Sequence, residues 1–154
     1  MSFASTAPAV IPALIAAWTT ALPGTTIRDA NPVSGSAELE AITVGWNPDV
    51  TEPAITGAFS AVNTQFLGSP LEEQYSIRSA IVVLNGNSDI VAARTRAFQL
   101  LAGVGGAIVP DITLGSVVMR ASLGAWELMP YKQDSSGATA TIAFDVDIYA
   151  FTTV

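Results

Sequence analysis

The chain has 154 residues, enough for one domain of ordinary size, and such a chain buries roughly 70% of its unfolded surface without needing disulfide staples. Half the residues are hydrophobic and only 12% are charged, which excludes a disordered chain and leaves little polar surface to coat a monomer. Six Lys and Arg stand against thirteen Asp and Glu, with no His and no Cys; the net charge of −7 argues against wrapping nucleic acid.

The first element is a helix over about 10–22. Ile11, Leu14, Ile15, Trp18 and Leu22 recur on one face of a 3.6-residue period, Pro8 and Pro12 suit its approach and first turn, and Pro23-Gly24 stops it. The first charged side chain is Arg28, so no basic leader and no secretory signal are expected. Thr25 to Asp29 reads as a short strand, Asn31 to Ser36 as a loop, and Ala41 to Trp46 as a second strand. Residues 48–71 lack clean periodicity and contain Pro48, Pro53, Gly57, Gly68 and Pro70. The expectation there is partial extended structure, crossing the sheet or reaching a neighbour as an intersubunit arm.

Gln74 to Leu84 alternates as a strand, with Tyr75, Ile77, Ser79, Ile81 and Val83 on one face. Asn85-Gly86-Asn87 turns the chain into a helix over about 88–103, capped by Asn87 or Ser88. Its buried stripe is Ile90, Ala93, Ala97, Leu100, Leu101 and Val104, and Gly103, Gly105 and Gly106 are expected to end it. The last third reads as a meander, with strands at Ser116–Ser122 and Ala125–Lys132 and a turn at 133–137. In the final strand Ala138, Ala140, Ile142, Phe144, Val146, Ile148 and Ala150 share one face. The fold class expected is α+β: one domain over 1–154, a mostly antiparallel sheet with two main helices packed on one face.

Chemistry is sparse. Without His or Cys the usual general base, thiol nucleophile and zinc ligands are missing. Asp145 and Asp147 lie i, i+2 on the polar face of the last strand and form the most suggestive carboxylate pair. They are candidates either for a divalent cation or, on the blander reading, for a solvated face. Glu38/Glu40 and Glu72/Glu73 read as solvated surface. Arg94 and Arg96, with Phe59 and Phe66, are candidate subunit contacts, and Arg78, Arg94 and Arg96 form at most a weak basic patch. No cofactor and no resident metal are expected.

Several patterns in order carry a resemblance. Ala21-Leu22-Pro23-Gly24 leads to Val44-Gly45-Trp46-Asn47-Pro48-Asp49. Then come Glu73-Gln74-Tyr75-Ser76-Ile77-Arg78 and Asn85-Gly86-Asn87-Ser88-Asp89, running into Ala92-Ala93-Arg94-Thr95-Arg96-Ala97-Phe98-Gln99-Leu100-Leu101. Pro110-Asp111-Ile112-Thr113-Leu114-Gly115 and a final hairpin with Gly137 at its turn follow. Taken together they resemble the tail terminator proteins of long-tailed phages of actinobacteria, over nearly the whole chain. The glycine cluster at 103–106 and the weakly acidic 48–71 connection depart from that pattern.

The resemblance implies a non-enzymatic virion subunit, assembled in the host cytoplasm into a ring that is hexameric in that family. The ring caps the tail tube, ends its polymerisation and meets a head-side connector or stopper protein. DNA passes through without specific binding, and no membrane is involved. Asp145 and Asp147 become candidates for the ring lumen. The alternatives are another neck or tail component, such as a head-closure or tube-related protein, and in a different class a small metal-dependent enzyme.

Overall fold

The structure is a computed structural model and describes residues 4–30, 39–61 and 71–152. Helix α1 spans Ala7–Ala21, followed by strands β1 (Thr26–Asp29), β2 (Glu40–Val44), β3 (Ile55–Ala61) and β4 (Leu71–Asn85). Helix α2 (Ile90–Ile108) then runs into a short 3-10 turn at Val109–Asp111, and β5 (Arg120–Leu128), β6 (Lys132–Asp134) and β7 (Gly137–Phe151) complete the fold. The class is α+β, with one seven-stranded mixed sheet and two helices.

The two longest strands, β4 and β7, run antiparallel at the centre, from Glu72 opposite Phe151 to Asn85 opposite Ala138. On the outer side of β4, β2 pairs with its second half and β3 with its first, so the two lie end to end. On the outer side of β7, β5 and β6 do the same. Only β1 is parallel to its neighbour, β2. Strict alternation along β4 and β7 gives the sheet one apolar face, and both helices lie against it.

Beneath α1, Val10, Leu14 and Trp18 are sealed from solvent, and the Trp18 ring tilts against Phe144 with centroids 5.8 Å apart. Beneath α2, Ala93, Ala97, Leu100, Leu101, Val104 and Ile108 are buried, as the stripe read from the sequence requires, except that Ile90 is only half-covered. Among the described residues, two buried polar atoms near Phe144, Trp18 Nε1 and Ser79 Oγ, find no hydrogen-bond partner.

Four local expectations are corrected. First, α1 begins at Ala7 rather than at about residue 10, so Pro12 lies inside it. Second, the cap of α2 is Asp89, whose carboxylate accepts from Ala92 N at 3.0 Å; Asn85 Oδ1 holds the preceding turn by accepting from Asn87 N. Third, the glycines at 103–106 do not end α2, which continues to Ile108. A Cβ on Gly103 would come 2.7 Å from Leu22 Cδ2, so this glycine lets the end of α1 press close to α2.

Fourth, Ser116–Ser122 is not a strand along its length. Asp111 accepts from Thr113 N, Thr113 Oγ1 and Gly115 N, and Leu114, Gly115 and Ser116 all adopt positive φ, which winds the chain into a compact turn up to residue 119. The two strands expected at 116–122 and 125–132 are replaced by β5, a single strand with a bulge between Leu123 and Trp126. Gly124 sits in that bulge, where the Asp147 carboxylate packs over its Cα.

Gly106 differs from Gly103: it is exposed in the helix interior and a Cβ would meet nothing within 4 Å. Gly106→Ala is therefore expected to raise the unfolding free energy by about 0.5–1 kcal/mol, from helix propensity alone. Urea denaturation checks this, and a destabilised Gly106→Ala would contradict the placement of this residue in an open helix face.

Candidate functional site

The helices cover one face of the sheet and leave the other open. Arg78, at the middle of β4, projects on that open face directly opposite Asp145 of β7. Its Nη1 donates to Asp145 Oδ1 at 3.2 Å and its Nη2 to Glu127 of β5. Two residue pairs further along the ladder, Ser76 stands opposite Asp147 and donates its hydroxyl to Asp147 Oδ1 at 2.6 Å. The two aspartates do share a face, as their spacing dictates, but their partners differ. Asp145 is half-buried against a guanidinium, whereas Asp147 is exposed with a hydroxyl neighbour.

Asp49 and Glu52, in the loop before β3, line the same shallow pocket of about 300 Å³ as Arg78, Asp145 and Glu127. Asp49 is held below its ordinary carboxylate value first by the hydroxyl of Thr51, then by the Thr51 backbone N–H. Among the described residues no group of three or more His, Cys, Asp or Glu converges as a metal site. Arg78 supplies beside Asp145 the positive charge that a cation would otherwise bring.

At the opposite end of the open face lies a larger groove of about 680 Å³. Its lining includes Thr43, Trp46, Val82, Met129, Lys132 and Thr141.

The subunit-contact candidates fall in different places. Arg96 grips Glu40 at the start of β2, Nε to Oε1 at 2.6 Å and Nη2 to Oε2 at 3.0 Å, so its fork is used within the subunit. Arg94 donates from Nη1 to the Tyr131 hydroxyl at 3.1 Å and stacks over that ring at 6.0 Å. Phe59 lies on β3 and is 54% exposed. Phe66 and Glu38 lie outside the described residues. Arg78 is on the sheet face opposite the helices, so the three arginines do not form one patch.

Two features escaped the sequence reading. Trp126 is 52% exposed at the β5 edge, meeting Phe98 of α2 edge-on at 5.2 Å, with Tyr131 and Arg94 also on this side of the molecule. And Glu73, expected on the surface, is only 3% exposed. It accepts from Ser5 Oγ, from Thr6 N at 3.0 Å and from Thr6 Oγ1 at 2.9 Å, tying β4 to the N-terminus of α1, where a carboxylate suits the helix dipole. Tyr75 shares Thr6 Oγ1 at 2.9 Å, and burial pushes its hydroxyl up to about 12. Glu73 had a signal: it has the same parity as Tyr75 and Ile77, the buried side of β4.

No protein-family model matches the chain, and no curated protein matches it. No described helix is long and apolar enough to cross a membrane.

The Glu40–Arg96 pair gives a pH test. The hydrogen bond from Arg96 holds the Glu40 carboxyl below its ordinary value, against a burial effect of opposite sign. A lowered folded-state value means that the pair stabilises above the ordinary carboxylate range and that this is lost as pH falls through the lowered value. The Arg96 side chain is 43% exposed, so solvent screening holds the contribution to about 1 kcal/mol. Glu40→Gln is expected to cost about that much near neutral pH, and the cost should shrink steadily as pH falls below the ordinary carboxylate range, by denaturant melts. An equal cost at every pH would show that the charge pair is not the source.

Proposed function

We propose that this chain is a structural subunit that joins copies of itself head to tail into a ring, capping a phage tail tube and meeting the head-side connector. The observation that carries the reading is a pair of unlike exposed patches on opposite sides of the central β4–β7 ladder. On one side β3 presents Ile55 and Phe59; on the other, Trp126 and Tyr131 stand beside Phe98 and Arg94. A head-to-tail contact that closes needs two different patches on every subunit. Aromatic residues and Arg are the types that anchor such contacts.

Charge supports the same reading. Asp147 is exposed on the open face, near the acidic cluster around Arg78, and the chain carries −7 overall. Carboxylates turned toward a conduit repel phosphates, so passing DNA would not adhere. The ordered resemblance to tail terminators, running from Ala21 to the Gly137 hairpin, supplies the identity of the ring. A head-closure or tube-related protein remains the alternative within the same structural class.

Deleting the gene from its phage distinguishes these. A terminator's loss leaves heads without joined tails and tubes of abnormal length in the lysate, seen by negative-stain imaging. Tails of normal length that merely fail to attach would overturn the terminator role in favour of a head-side neck protein.

A further inference from the structure

Among the described residues, strand β3 is an open edge of unusual character. Among the described residues it pairs only with β4, and every residue from Ile55 to Ser60 is exposed. The other edges carry devices that discourage strand addition: β1 holds Arg28 and Asp29, and β5 holds Arg120, Glu127 and a bulge. β3 holds no charge, no proline and no bulge, and the sequence contains no charged residue from Pro53 to Leu71. In a chain of net charge −7, this is an edge where two copies can meet without opposing like charges.

The hydrogen-bonding phase says more. Ala54 O accepts from Arg78 N at 2.7 Å, so the backbone groups of Ala54, Thr56, Ala58 and Ser60 face β4. Those of Ile55, Gly57, Phe59 and Ala61 face outward. These outward positions are symmetric about Ala58. An antiparallel two-fold pairing centred there sets Ile55 against the partner's Ala61 and Gly57 against the partner's Phe59, and the same again by symmetry. Every outward N–H and C=O of the strand then finds a partner. A one-residue slip sets outward groups against inward ones, and a two-residue slip shortens the overlap.

Side chains agree with the same register. A Cβ on Gly57 would lie 2.5 Å from Tyr75 Cβ, and in this register the ring of a second copy's Phe59 would face that bare backbone. We propose that the outer edge of β3 pairs with the β3 edge of a second copy, in register about Ala58, to form a two-fold dimer of the free protein. A two-fold contact is self-complementary and does not propagate. Since the ring reading uses the Phe59 side of the molecule, the dimer and the ring compete for it, and the dimer holds free subunits out of premature rings. That consequence rests on the ring reading; the dimer does not.

The chain has no cysteine, which gives a clean test. Ala58 faces its own counterpart in a non-hydrogen-bonded pair, about 4.5 Å between Cα atoms, within reach of a disulfide. Purified Ala58→Cys is expected to form a disulfide-linked dimer under mild oxidation, well ahead of Ser135→Cys in the exposed β6–β7 turn. Phe59→Pro removes an outward N–H that β4 does not use, so the fold should persist while sedimentation shows a dimer becoming a monomer. A wild-type protein that stays monomeric at high concentration would overturn the proposal. So would a dimer that survives Phe59→Pro, or cross-linking at position 58 no faster than at 135. None of these outcomes bears on tail length in the gene deletion, so the two readings fail separately.

Discussion

Everything in this molecule hangs on the ladder between β4 and β7. It is the longest pairing in the sheet, and both strands alternate apolar with polar side chains for most of their length. Because the side-chain period of a strand is two, fixing the register fixes which face is apolar for the whole sheet. The helices then have one place to go. α1 sets Trp18 on Phe144, and α2 lays its alanines and leucines on the rest. The short strands add themselves in two end-to-end pairs along the flanks, which leaves β3 and β5 as outer edges on opposite sides.

The same ladder organises the charges. Residues that point away from the helices meet in cross-strand pairs, Arg78 with Asp145 and Ser76 with Asp147. Arg78 is shared between two carboxylates of that face: its two Nη groups are used on Asp145 and Glu127. Arg96 is likewise committed to Glu40 within the subunit. The cations in these pairs are used within the subunit.

How much was legible follows from which forces are local. The seven alternating apolar residues of β7 and the stripe of α2 were readable because burial on a regular element repeats at its period. The glycines of α2 were misread because a helix-ending glycine and a helix-packing glycine look alike until Leu22 is known to lie against Gly103. Ser116–Ser122 looked like a strand by composition. The carboxylate of Asp111, gathering nearby N–H groups, settles a turn there that no periodicity announces. The exposed patch of Trp126, Phe98, Tyr131 and Arg94 joins α2 to residues beyond the β5 bulge, and only tertiary contact brings them together. Spacing alone sets Asp145 and Asp147 on one face, but their unlike partners, Arg78 and Ser76, come from β4 through the register of the ladder.

The central claim is that this chain acts by assembling, through unlike patches on the two sides of one sheet. Electron cryo-microscopy of the intact particle tests it most directly. The account predicts a closed ring of this chain between the end of the tail tube and the head connector, with the Trp126 side of each subunit against the β3 side of the next. Density that places the chain elsewhere, or as single copies that do not touch, would contradict it.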